Sequence, residues 1–141
     1  MWSKEKIQDW YDDHKWLVGC NYLPSSAINQ LEMFQEDSFD ADTNKREVGW
    51  ARDVGFNSLR IYLHDLLWQD KESFKKRLNE ILSLCSDHNI KPILVLFDDC
   101  HRPFPKLGKQ PLPVRGVHNS GWKQSPGHEI VRDIAKGNKE E

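Results

Sequence analysis

Gly55-Phe56-Asn57-Ser58-Leu59-Arg60-Ile61-Tyr62-Leu63-His64 is the stretch that decides how this chain folds. On an extended backbone Leu59, Ile61 and Leu63 fall on one side, and Ser58, Arg60, Tyr62 and His64 on the other. The first side needs a covering layer of helices. The second resists such a layer, because an arginine loses its hydration there without a partner. The segment from Phe56 to His64 therefore predicts a strand with one packed face and one open, polar face.

Working outward, a helix is expected from Thr43 to Val54, with Val48, Ala51 and Val54 on one side and Gly55 as its stop. Before it, Trp16 to Tyr22 is a short apolar run ending near Pro24, read as the first strand. A helical turn over Ser26 to Phe34 lies between them. At the N-terminus, Ile7, Trp10, Tyr11 and His14 recur at helical spacing behind Ser3, predicting a helix over 4–14 that packs under the sheet.

Downstream, Asp70 caps a helix whose stripe of Phe74, Leu78, Ile81, Leu82 and Cys85 has the spacing of a buried seam, ending at His88-Asn89. The run Pro92 to Phe97 is continuously apolar, as in a parallel strand covered on both faces, and leads into Asp98-Asp99. Cys100 to Gly127 holds five of the seven prolines and four of the eight glycines, with Phe104, His118 and Trp122 among them, and predicts a long ordered loop. A last helix is expected from Pro126 or Gly127 through Ile134. The tail Lys136 to Glu141 then reads as a chain interrupted rather than capped.

The strands start near Trp16, Phe56 and Pro92, so each β/α unit takes about 36 to 40 residues, and eight would need roughly 300. The fold class expected is α/β: a partial (β/α)8 TIM barrel, its first three β/α units plus an N-terminal helix, with residues 1–141 the front of one domain. Long segments leave the strands while short ones return to them, which places function at the C-terminal end of the sheet. A small open α/β domain, complete in itself, is the alternative.

A net charge of −2 leaves no basic field for phosphate backbones or anionic lipid, so nucleic acid and membrane are not expected partners. No apolar run approaches the eighteen or so residues of a membrane span, and the first residues lack a signal core. Taken as written, the chain is expected in the cytoplasm; a lost N-terminal signal would make it secreted or periplasmic. Cys20, Cys85 and Cys100, odd in number, are read as buried or free thiols rather than a disulfide frame.

Gly19-Cys20-Asn21-Tyr22-Leu23-Pro24 and Gly55 to Tyr62 resemble the opening strands of the retaining glycoside hydrolases of the cellulase-like superfamily, the families five and two type. Ala27-Ile28-Asn29-Gln30-Leu31-Glu32-Met33 and His118-Asn119-Ser120-Gly121-Trp122-Lys123-Gln124-Ser125-Pro126-Gly127 are similar to a bacterial cellulase-like or xylanase-like branch. The resemblance covers about residues 16 to 133. It implies a (β/α)8 barrel hydrolysing β-glycosidic bonds with two glutamates, one in an Asn-Glu motif ending strand four and one ending strand seven, their carboxyls about 5 Å apart. Neither motif occurs here, because the only Asn-Glu pair, Asn79-Glu80, falls inside a helix. No catalytic residue, metal ligand or cofactor is therefore assigned to this chain. The expected partner is a carbohydrate substrate.

By the same resemblance Arg60 corresponds to the arginine that hydrogen-bonds the nucleophile and keeps it ionised; a salt bridge to a local aspartate is the plainer role. Asn21 is expected to bond a sugar hydroxyl or a neighbouring strand end. Asp98 and Asp99 can hold sugar hydroxyls, pair with Arg60 or cap a turn. His64 shares the face of Arg60, and His101 stands past the position where the family often has a histidine. Tyr22, Trp68, Phe104 and Trp122 offer flat rings to sugar C–H faces or to ordinary packing. Glu32 is a sugar contact or a solvated loop acid.

Two other readings remain open. One is a small metal-binding α/β hydrolase or phosphotransfer domain using Asp65, Asp98, Asp99 and His101 as ligands, although no Gly-rich phosphate loop or metal-ligand spacing accompanies them. The other is a non-catalytic carbohydrate-binding module.

Overall fold

The computed structural model describes residues 1–137. The last four residues of the expected tail lie outside that range. The architecture is mixed α/β, with one parallel sheet of β1 (Gly19–Tyr22), β2 (Ser58–Tyr62) and β3 (Lys91–Val95) in the order β1-β2-β3. Among the described residues there are five α-helices: α1 (Lys4–Asp12), α2 (Gln30–Phe34), α3 (Ala41–Asp53), α4 (Lys71–Asp87) and α5 (His128–Ala135). A 3₁₀ turn over Asp65–Asp70, absent from the sequence reading, carries β2 into α4.

Local chemistry sets these boundaries. Asp40 caps α3 by accepting from the Thr43 amide at 2.9 Å, and Asn29 caps α2 by accepting from Leu31 and Glu32. Asp70 caps α4 through the Ser73 amide, as its position predicts. At the other end Asn89 takes φ 55°, and Ile90 donates back to the Cys85 carbonyl at 2.8 Å, closing α4 and starting β3 within two residues.

The packed face is the one the alternation of β2 predicts. Leu59 and Ile61 are fully buried against Leu31 and Phe34 of α2, Val48 of α3, and Phe74, Ile81 and Cys85 of α4. Phe34 and Phe74 meet edge to face at 5.4 Å. Register places Asn21, Arg60 and Ile93 side by side on the opposite face, where no helix covers them and all three are exposed.

Four expectations are corrected. The first strand begins at Gly19, not Trp16: the carbonyl of Trp16 and the amide of Val18 are held by the Asn57 side chain at 2.9 and 2.7 Å, and Trp16, Leu17 and Val18 are exposed. Gly19 allows the close approach that follows, since a Cβ there would lie 1.7 Å from the Ser58 carbonyl oxygen. The run Pro92 to Phe97 is not covered on both faces, because no helix lies over the open face of the sheet; β3 is also an edge strand. Leu96 and Phe97 are 60% and 73% exposed, and Ile93 and Leu94 are also open. Helix α1 does not pack under the sheet; Ile7, Trp10 and Tyr11 face outward, and its ring contacts are local, Trp10 stacking on His14 at 4.1 Å. Val54, expected on the packed side of α3, sits just past its last residue and is exposed.

Among the described residues no helix is long and apolar enough to cross a membrane. Cys20, Cys85 and Cys100 are all free thiols.

Candidate functional site

The open face of the sheet ends in a continuous wall of cation, rings and acid. The Arg60 guanidinium lies 4.8 Å from the centre of the Tyr62 ring, and Tyr62 meets Trp122 edge to face at 5.0 Å. Trp122 in turn lies 5.5 Å from His101, whose Nδ1 is 2.5 Å from Asp98 Oδ2. Tyr62 on β2, with Arg60 over it, thus meets a loop residue and then the segment just past β3. Among the described residues no carboxylate pairs with Arg60, so the local salt bridge held open in the sequence reading is not formed.

Trp122 reaches the sheet because its loop is ordered, as its composition predicts. Ser125 pairs with Asp98 in an antiparallel bridge, amide to carbonyl at 2.7 and 2.8 Å, and Arg102 pairs with Lys123. The short buried helix α2 grips the same loop. Asn29 Nδ2 donates to the Gly121 carbonyl at 2.9 Å and to Gln110 Oε1 at 3.0 Å, and Gln30 Nε2 donates to the Lys123 carbonyl. Gln35 exchanges two hydrogen bonds with Gly108. The stretches 27–33 and 118–127 are therefore in direct contact with each other.

That grip revises several assignments. Glu32 is neither a sugar contact nor a solvated acid: it is buried, and its two oxygens accept from the amides of Ile28 and Gln110, both at 2.9 Å. The spacing Asn29-x-x-Glu32 matches a capping box, but Glu32 reaches past the Asn29 amide to that of Ile28. Tyr22 lies on the packed face, 7% exposed, and donates its hydroxyl to Asn44 Oδ1 at 2.8 Å, so it is a core residue rather than a subsite. Trp68 flanks α4, in edge contact with Phe74 at 6.4 Å and under Lys75, and so belongs to the helix side. Asn21 and Asp99 remain exposed near the sheet ends. Phe104 is exposed and meets His128, the first residue of α5, edge to face at 6.1 Å.

His64 is buried beneath this surface. Its Nδ1 lies 2.9 Å from Asp65 Oδ1 and 3.2 Å from the Leu66 amide, and its Nε2 has no partner among the described residues. Burial alone would raise the Asp65 pKa, but hydrogen bonds from His64 and Ser125, with the histidine's charge, together hold it below the ordinary carboxylate value. The Cys100 thiol is shifted up, chiefly by its hydrogen bond to Asp98, with the negative charges of Asp98 and Asp99 adding to it. It is thus not an activated nucleophile.

The sequence reading did not single out Asn119, whose Nδ2 lies 3.2 Å from His101 Nε2, or Cys100 as a neighbour of both Asp98 and His101. The signal available was the short spacing of Asp98, Cys100 and His101. Comparison of the chain with protein-family models, with curated proteins and with solved structures finds no match.

Proposed function

We propose that this chain is the opening portion of a (β/α)8 barrel of the retaining glycoside hydrolase type, and that the open face of its sheet lines the substrate side of the barrel mouth. The observation that carries the reading is the wall from Arg60 through Tyr62, Trp122 and His101 to Asp98, standing at the C-terminal end of parallel strands with no helix over it. A doubly wound sheet would cover both faces. A barrel covers only one and fills the other with side chains and substrate.

In this reading each residue has a physical task. Arg60, its guanidinium over the Tyr62 ring, meets the nucleophile carboxylate brought by a later strand and keeps it ionised. Trp122 and Tyr62 offer apolar faces to sugar C–H groups, while Asp98, Asp99 and Asn21 accept or donate hydrogen bonds to hydroxyls. In this reading, breaking the bond falls to two glutamates on later strands, beyond residue 141. Glu80 is exposed on α4 and Glu32 is fully engaged, so neither serves.

The test is an assay of the longest product encoded in frame with this chain, on soluble β-1,4-linked glucan and xylan with anomeric configuration followed by NMR. Retention of configuration, with Arg60→Met lowering kcat/KM by about 100-fold or more, is the expected result. Absence of turnover together with measurable sugar affinity would instead favour a non-catalytic carbohydrate-binding module. Absence of both would reject the carbohydrate reading.

A further inference from the structure

At the far end of the ring wall, Asp98 and His101 meet Cys100, a thiol to which the carbohydrate reading gives no task. We propose that Asp98, Cys100 and His101 form a binding site for a divalent transition-metal ion of borderline softness, zinc foremost.

One ligand atom from each of the three residues can be chosen so that all lie within 4.8 Å of one another. Zinc bonds of about 2.0–2.3 Å at tetrahedral angles put neighbouring ligand atoms about 3.3–3.6 Å apart. Cys100 Sγ is 3.4 Å from Asp98 Oδ1 and 3.9 Å from His101 Nδ1, close to those separations. His101 Nδ1 lies 2.5 Å from the other carboxylate oxygen, Asp98 Oδ2, a hydrogen bond that an ion bound between the two residues would replace. Binding releases the thiol proton, so the ion's two charges are balanced by Asp98 and the Cys100 thiolate.

The surroundings suit such an ion. Asp98 is buried and its backbone is fixed to Ser125 on both sides. Asn119 stands 3.2 Å from Nε2 of His101, and its amide oxygen, once turned inward, would accept the N–H that a ring bound through Nδ1 must donate. A cleft lined by Cys100, His101, Arg102 and Asn119 leaves the fourth position to water. The set differs from the four-residue ligand group weighed from sequence. Asp65 is held by His64 and Ser125, and Asp99 is exposed outside the cluster. Sulfur, nitrogen and a single carboxylate select zinc or cobalt over magnesium or calcium. The inference stands on these donors and does not rest on the glycan.

The test is titration of the chain with Co²⁺ as a spectroscopic probe, and with Zn²⁺ against a competing chromophoric chelator. A thiolate-to-cobalt charge-transfer band is expected, kept in Cys20→Ser, lost in Cys100→Ser, with Asn119→Ala weakening zinc affinity about tenfold. In the unsubstituted chain, which removes any question of variant folding, Zn²⁺ should slow alkylation of Cys100 at least tenfold and leave exposed Cys20 unchanged. No charge-transfer band, a band surviving Cys100→Ser, or equal alkylation of Cys100 with and without Zn²⁺ would each overturn the proposal.

Discussion

Glu32 and Gln110 stand 78 positions apart in the chain, yet Glu32 Oε1 accepts from the Gln110 amide at 2.9 Å while its other oxygen accepts from Ile28. One buried carboxylate therefore ties α2 to the middle of the long loop. Replacing it by alanine strands two backbone donors, and the expected cost is about 1–3 kcal/mol. The loss is local: Glu32→Ala should be cut faster within residues 100–127 by limited proteolysis, with sites in α3 and α4 unaffected.

Gly121 is pressed against the same clamp. A Cβ there would sit 2.9 Å from Ile28 Cγ2 and 3.1 Å from Pro113 Cγ, closer than van der Waals contact allows. Gly121→Ala is expected to lower stability by about 1–3 kcal/mol and to reduce quenching of Trp122 by its ring neighbours. Thermal melts and indole fluorescence read the two effects separately.

The lowered pKa of Asp65 makes a pH prediction. Its ionised form is favoured in the fold, so the stability it contributes is present above the unfolded value of about 4 and is lost as pH falls through the lower folded value. Asp65→Asn should flatten the acid limb of the stability curve below about pH 4 and leave the limb above neutrality unchanged.

An uncovered edge strand has consequences for the isolated chain. β3 presents an unpaired edge, with Ile93 and Leu94 exposed on it and Leu96 and Phe97 exposed just past its end, a template for pairing with another copy. Concentration-dependent self-association is expected, and Leu96→Lys should suppress it. A monomer by sedimentation at all concentrations, unchanged by Leu96→Lys, would argue against an open edge.

Legibility in the sequence followed the range of the forces involved. The alternation of Leu59, Arg60, Ile61 and Tyr62, the Asp70 cap and the Phe74 to Cys85 seam are local patterns, and they placed β2 and α4 within two residues. β3 and β1 were read too long, because an apolar run such as Trp16-Leu17-Val18 does not say whether partners exist to cover it. Arg60 and Trp122 could be named one by one, but their meeting through Tyr62 depends on a loop held by Asn29 and Gln30, about ninety residues away. Which of its two readings Tyr22 takes, and what Glu32 bonds, depend on the fold for the same reason. A ring or a carboxylate in a loop shows its chemistry in the sequence, whereas its partner, Asn44 or Gln110, is supplied by the fold.

The central claim is that the Arg60–Trp122 face meets sugar, and the most direct measurement is an NMR titration of the chain with β-1,4-linked xylo- and cello-oligosaccharides. A partial site of about 1 mM affinity corresponds to only about 4 kcal/mol, so the titration should extend to tens of millimolar. The account predicts saturable shifts at the Trp122 indole N–H, Tyr62, Arg60 and Asn21, abolished in Trp122→Ala, with Trp68 silent. Shifts centred on Trp68 and α4, or none at any of these positions, would contradict it.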